Sequence, residues 1–109
     1  MKNLIFIPAR SGSRRVKNKN LKILKNKPLI YYTLETAKEI KKKIKNTDII
    51  VSSDSNKIIN YSNKILKTHN TYKRPKKLSS DKSSTVSALV HVLNYLRLKK
   101  KYPEIIITL

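Results

Sequence analysis

Short apolar segments alternate with longer amphipathic segments along this chain, and this alternation constrains the fold more than any other feature. Residues 3–8 (NLIFIP) form a continuous apolar run with the length of a strand that is buried on both faces. Similar runs occur at residues 48–53 (DIIVSS) and 104–109 (EIIITL), and shorter strands are predicted at 21–24 and 69–73. Strands of this kind, separated by helices, favour parallel pairing.

Three amphipathic helices are predicted between these strands. The first begins at Pro28, because proline suits the first turn of a helix, and its inner face is predicted to hold Leu29, Tyr32, Thr33, Thr36, Ala37 and Ile40. The second follows a cap at Asp54 or Ser55 and ends near Leu66. Its predicted inner residues are Ile58, Ile59, Ser62, Ile65 and Leu66. The third spans about Ser84 to Lys101, with a predicted stripe of Val86, Leu89, Val90, Leu93 and Leu96.

The resulting order, β-loop-(β)-α-β-α-β-α-β, predicts an α/β fold with a doubly wound, mostly parallel sheet and right-handed crossovers. The last apolar run reaches Leu109 without a turn or a polar cap after it. We therefore expect residues 1–109 to be the N-terminal part of a single, longer domain whose C-terminal half is absent.

The net charge of +20 arises from 26 Lys and Arg against six Asp and Glu. Of these cations 21 are lysine and five are arginine, and Asn and Ile are also frequent, so A/T-rich coding accounts for much of the charge. A surface specialised for nucleic acid usually adds arginine and aromatic side chains. Such a charge nevertheless attracts polyanions. A basic nucleic-acid-binding protein therefore remains an alternative.

Other compositional features exclude several classes of protein. The chain has no cysteine, which excludes disulfide frameworks, thiolate zinc sites and a cysteine nucleophile. Its apolar runs fall well short of the roughly 18–20 residues of a membrane span, and the N-terminal run is too short for a signal peptide. A cytoplasmic protein without a membrane partner is the default expectation.

The polar, basic segment 9–20 (ARSGSRRVKNKN) follows the first strand and holds Gly12, the chain's single glycine. Ligands of open α/β sheets bind beyond the carboxyl ends of the strands, where this segment lies. Small residues allow backbone N–H groups to face an anion, and the cations supply charge. The segment matches neither a Walker A loop nor a GxGxxG turn, so it predicts a different polyphosphate-binding loop. The alternative is a solvated basic loop.

Five motifs in order resemble the acylneuraminate cytidylyltransferases, the CMP-sialic acid synthetases. They are IPARSGSRRVKNKN, LKILKNKPLIYYTLETA, DIIVSSDS, KRPKKLSSDKSSTVSALVHVL and EIIITL, and together they extend over essentially the whole chain. Enzymes that activate 3-deoxy-manno-octulosonate also begin I-P-A-R. They lack the V-K-N-K-N-L segment, which favours the nonulosonate branch.

The resemblance implies a Rossmann-like nucleotide-diphospho-sugar transferase fold and a nucleotidyltransferase reaction. CTP and a sialic-acid-type nonulosonic sugar would give the CMP-sugar and pyrophosphate, a step that supplies lipopolysaccharide or capsule biosynthesis. The family further implies Mg²⁺, a homodimer and no specific nucleic acid. Sialic, legionaminic and pseudaminic acids all remain possible sugars.

The resemblance also assigns roles to residues. Arg10 would bind the triphosphate and stabilise charge on the α-phosphate, and Lys19 with Asn20 matches the family's phosphate-contacting K-N pair. Arg10 and Lys19 are therefore the expected catalytic residues. The full expected CTP-binding set is Pro8, Ala9, Arg10, Ser11, Gly12, Ser13, Arg14, Lys19, Asn20, Arg74 and Thr85.

Simpler roles compete at several of these positions. Arg74 could be a surface arginine, and Thr85 could be only a helix cap. Asp54 is also most readily a helix cap. Asp81 would organise its loop, and His91 would have a packing or boundary role on its helix.

The family's Q-P-T-S-P-L-R motif and late Mg²⁺-binding aspartates would lie after residue 109. We therefore expect little or no turnover from the chain alone, and a fragment that binds nucleotide or polyanions without catalysis is a further alternative.

Overall fold

The computed structural model describes residues 1–10, 19–67, 71–73 and 85–109, except for the side chains of Lys19 and Thr71. The strands are β1 (Asn3–Pro8), β2 (Ile23–Leu24), β3 (Lys27–Pro28), β4 (Thr47–Ser53), β5 (Thr71–Lys73) and β6 (Ile105–Thr108). The α-helices are α1 (Leu29–Lys43), α2 (Asn56–Leu66) and α3 (Thr85–Leu98), and a 3₁₀ turn spans Lys19–Leu21. This order confirms the predicted alternation of strands and helices.

The main sheet has four parallel strands in the order β5-β4-β1-β6. Asn3 is in register with both Thr47 of β4 and Ile105 of β6, so these three strands begin at the same level. β5 is shorter and joins the sheet only at Val51, which pairs with Thr71. The doubly wound parallel sheet predicted from the sequence is therefore confirmed.

Successive side chains of β1 enter two separate cores, because neighbouring residues of a strand point to opposite faces. Ile5 and Ile7 pack with α1 and α2, whereas Leu4 and Phe6 pack with α3. All four are at most 2% exposed. The continuous apolar run at the N-terminus thus reflects a strand that is covered on both sides.

The inner faces predicted for α1 and α3 are only partly confirmed: Ala37 and Leu96 are buried as predicted, but the other buried residues lie outside the predicted stripes. In α1 the buried residues are Ile30, Leu34 and Ala37, and Thr36 is exposed. In α3 they are Ala88, Val92 and Leu96, whereas Val86 and Val90 are exposed. The α2 prediction holds for Ile58 and Ser62, which are fully buried. Ala37 and Ala88 are small, and a small side chain at the buried face of a helix allows the helix to approach the sheet closely.

A short hairpin formed by β2 and β3 lies between the first strand and α1. Its two turn residues, Lys25 and Asn26, have φ of 51° and 69°, the left-handed pair that a tight hairpin turn requires. The sequence predicted a strand at 21–24 but not its partner, and Leu21 belongs instead to the 3₁₀ turn.

Within the described ranges, no helix has both the length and the apolar character needed to cross a membrane.

Two valines on α3 test the corrected helix orientation. Val92→Ala should lower the free energy of unfolding by about 2 kcal/mol, because Val92 is fully buried and its loss leaves a cavity. Val90→Ala is the matched control, since Val90 is 50% exposed, and should change stability by less than about 0.5 kcal/mol. Urea denaturation of both variants measures the difference. Equal losses, or a larger loss for Val90, would contradict this orientation of α3.

Candidate functional site

The carboxyl ends of β1, β4 and β5 meet at one edge of the sheet, here called the carboxyl edge. Pro8 is in register with Ser52, and Ser53 is in register with Lys73. The chain leaves the sheet at this edge three times, through segments that begin at Ala9, Asp54 and residue 74. Ligands of parallel α/β sheets bind at such an edge.

A hydrogen bond joins the two ends of the basic segment after β1, Arg10 and Asn20, which are here called the neck. The Asn20 side-chain amide donates to the Arg10 carbonyl oxygen at 3.1 Å, joining residues ten positions apart. Ala9 is nearly fully buried, and its N–H donates to the Ser52 carbonyl oxygen at 2.8 Å, which extends the β1–β4 ladder. The two ends of the segment are therefore held together at the carboxyl edge.

The hairpin anchors the far side of this neck to α1. The Leu29 N–H donates to the Lys22 carbonyl oxygen at 2.8 Å, and the Tyr32 hydroxyl donates to the Leu24 carbonyl oxygen at 2.5 Å. Leu21, adjacent to Asn20, packs against the core between the sheet and α1. Asn20 is thus followed by a segment that is tied to α1 and to the core.

The β4–α2 connection places a helix N-terminus at the same edge. Ser55 is the N-cap of α2, with its hydroxyl accepting from the Ile58 N–H at 3.3 Å. Of the two predicted caps, Ser55 is therefore the one observed, and Asp54 precedes it. Ser53 is fully buried, and its hydroxyl accepts from the Ser55 N–H at 3.0 Å. The N-terminus of α2 carries partial positive charge, which suits an anion nearby.

The opposite side of the site is bordered by β5 and α3. Thr85 is exposed and occupies the first turn of α3, on the other face of the sheet from α1 and α2. The Lys73 ammonium donates to the Asn56 side-chain oxygen at 2.8 Å, so the end of β5 is tied to the start of α2.

An aromatic cluster of Tyr72, His91 and Tyr95 lies between β5 and α3 and was missed as a group by the sequence analysis. The Tyr72 hydroxyl is hydrogen-bonded to His91 Nδ1, and the Tyr72 and Tyr95 ring centroids are 5.0 Å apart. Burial, and then the neighbouring Tyr95, raises the pKa of the Tyr72 phenol. His91 and Tyr95 are four residues apart on one helix, the spacing that could have revealed the pair. The contact agrees with the packing role expected for His91.

The predicted site residues fall into three groups. Pro8, Ala9, Arg10 and Asn20 come together at the carboxyl edge, with the backbone of Lys19 beside them. Thr85 lies apart at the start of α3. The remaining predicted residues, together with Asp81, lie outside the described residues: Ser11, Gly12, Ser13, Arg14 and Arg74.

The described part of the site does not form a metal centre by itself. No three or more His, Cys, Asp or Glu residues come together there in a way that could hold a metal ion. Mg²⁺ requires several oxygen ligands, usually carboxylates and phosphates. The residues described do not fit a Mg²⁺ site by themselves.

Comparison with known proteins places this arrangement in a family. A family model described as cytidylyltransferase matches residues 4–107. The chain is 37% identical over 97 residues to a pseudaminic acid cytidylyltransferase of Campylobacter jejuni, covering 89% of this chain and 40% of that protein. It is 35% identical over 95 residues to an N-acylneuraminate cytidylyltransferase of Escherichia coli, covering 85% of this chain and 21% of that protein. The chain therefore spans less than half the length of these relatives.

A solved structure has the same fold. A CMP:2-keto-3-deoxy-manno-octonic acid synthetase complexed with CTP superposes with a TM-score of 0.68 over the whole of this chain and 39% of that one, at 24% identity. The likeness supports the Rossmann-like α/β architecture. The family match over residues 4–107 shows that this chain belongs to the cytidylyltransferase family.

Proposed function

We propose that this chain forms the nucleotide-binding part of an enzyme that transfers CMP from CTP to a sialic-acid-type nonulosonic sugar. The observation that carries the proposal is the Asn20–Arg10 hydrogen bond, which closes a basic segment at the carboxyl edge of a cytidylyltransferase sheet. The relatives named for pseudaminic and N-acylneuraminic acid support this sugar class. The choice between these sugars is left to experiment.

In the proposed reaction the anomeric hydroxyl oxygen of the sugar attacks the α-phosphorus of CTP. A new bond joins this oxygen to phosphorus while the bond to the β-phosphate oxygen breaks, so pyrophosphate leaves and the hydroxyl proton is released. Such transfers depend mainly on positioning and charge neutralisation.

This chain would supply both. The guanidinium of Arg10 would neutralise the triphosphate, with the Lys19 ammonium beside it, and Asn20 would hold the Arg10 backbone in place. The N-terminus of α2 adds partial positive charge at the same edge.

Other parts of the proposal concern the whole enzyme. Its Mg²⁺ ligands would lie after residue 109, where the resemblance places the family's late aspartates, and the described residues offer no cluster for the ion. The homodimer and the cytoplasmic location stay predictions. We also propose that the chain alone binds CTP without completing the transfer, because it spans at most 40% of the relatives above.

A nucleotide competition separates this function from general polyanion binding. At fixed salt, the chain should bind CTP about tenfold more tightly than ATP, because both carry the same triphosphate and only a base pocket distinguishes them. Isothermal titration calorimetry at two salt concentrations measures both affinities. Equal affinities that fall steeply together with salt would instead support nucleic-acid or polyanion binding through charge.

The neck hydrogen bond gives a second prediction. Asn20→Ala should weaken CTP binding about fivefold, since it removes a hydrogen bond whose net contribution is about 1 kcal/mol and releases the Arg10 backbone. Asn60→Ala, at an exposed position of α2, is the matched control and should bind CTP as the parent does. Unchanged affinity in a folded Asn20→Ala protein would contradict the proposed role of the neck.

A pyrophosphate assay tests the chemistry. With CTP, Mg²⁺ and either N-acetylneuraminate or pseudaminate, the chain alone should release pyrophosphate only at the background rate while still binding CTP. A longer protein that contains this chain should form the CMP-sugar from one of the two sugars. Turnover by the chain alone would overturn the proposal that it binds CTP without completing the transfer. Absence of turnover by the longer protein with both sugars would contradict the proposed substrate class.

A further inference from the structure

The edge of the sheet opposite the nucleotide site, here called the amino edge, is formed by three chain segments that hydrogen-bond to one another. The Lys2 and Asn3 N–H groups donate to the Asn46 carbonyl oxygen at 3.0 and 2.9 Å. The Glu104 N–H donates to the Lys2 carbonyl oxygen at 2.8 Å. The segments before β1, β4 and β6 are therefore fixed side by side.

These segments bring two lysine runs to the same edge. Lys41–Lys43 end α1, and Lys99–Lys101 follow α3, while Lys2 directly precedes β1 at the same edge. All of these side chains are exposed. Each helix C-terminus carries only about half a negative charge, so three lysines exceed what the helix dipole requires. Glu104 lies at this edge and Glu39 pairs with Lys42 at 3.7 Å, which leaves a strong positive excess.

Large apolar side chains are exposed among these lysines. Leu98 at the end of α3 is 83% exposed, Tyr102 is 65% exposed and Ile105 at the start of β6 is 54% exposed. Ile44, directly after α1, is also exposed. Together they project from the same edge as the cations.

We propose that the amino edge docks on an anionic lipid bilayer. Lysines attract acidic headgroups, Leu98 and Ile105 would enter the apolar boundary, and Tyr102 would lie at the headgroup level, where tyrosine is enriched. The structure thereby points to a peripheral membrane partner that the sequence analysis did not expect. The proposal goes beyond the proposed function and does not depend on it, since the nucleotide site lies at the other edge.

The composition of the edge favours a bilayer over nucleic acid. A nucleic-acid backbone would contact the lysines but would leave aliphatic side chains such as Leu98 without a favourable environment. Arginine forms forked contacts with phosphate and stacks on bases, but both runs consist of lysine alone, with the exposed Arg97 in the last turn of α3 beside the second run.

Vesicle flotation with the full 109-residue chain tests the proposal. Vesicles of phosphatidylglycerol and phosphatidylcholine in equal parts should bind at least about fivefold more protein than vesicles of phosphatidylcholine alone. The double variant Lys100→Glu/Lys101→Glu should lose most of this binding. Leu98→Ser should reduce it about threefold without affecting stability, because Leu98 is almost fully exposed.

The control variant Lys22→Glu/Lys57→Glu changes the net charge equally at exposed positions away from the amino edge, and should keep most of the binding. Equal losses in the two double variants would overturn the proposal, because net charge alone would then explain the attraction. Unchanged vesicle binding by Leu98→Ser, or displacement of the protein from vesicles by a short DNA duplex at equal charge concentration, would also overturn it.

Discussion

The burial of β1 on both faces is the constraint on which the rest of this structure depends. β1 pairs with β4 and β6, and its side chains enter two cores that have no residues in common. Because both faces and both edges of the strand are occupied, its position and register are fixed. A segment that leaves the end of such a strand starts from a rigid point. The hydrogen bond between Asn20 and Arg10 joins the two described ends of the basic segment at this point.

Much of the fold follows from the sequence because strand-length apolar runs separated by helical segments leave few topologies. The faces of α1 and α3 were harder to predict. In α3, Val86, Leu89, Val90 and Leu93 are as apolar as the residues that the sheet buries, so periodicity alone does not define one stripe. Small Ala88 sits against the sheet because close approach of the backbone outweighs the hydrophobicity of larger neighbours. The β3 strand was missed because its turn, Lys25–Asn26, lacks the glycine that usually marks a tight hairpin.

The positions of Arg10 and Asn20 at the carboxyl edge were predictable from the sequence, but the contact between them was not. Chain order places Arg10 and Asn20 at the carboxyl edge, because both flank a segment that follows β1. The hydrogen bond from the Asn20 side chain to the Arg10 carbonyl oxygen depends on how the backbone comes back to the end of β1. Residue spacing in the sequence does not predict this path. The Tyr72–His91 contact likewise joins a strand to a helix 19 residues later. Ser55, and not Asp54, caps α2 because the helix begins at Asn56. The sequence pattern does not define the start of a helix to within one residue.

The proposed function requires nucleotide to bind at the carboxyl edge, where β1 and β4 end. Backbone amide NMR during a CTP titration would locate the binding site residue by residue. The largest chemical-shift changes should fall at Arg10, Asn20 and Ser53–Ser55, with little change at Lys2, Asn46 and Glu104 on the amino edge. Dominant changes at the amino edge, or small changes spread over the lysines of the whole surface, would contradict the account.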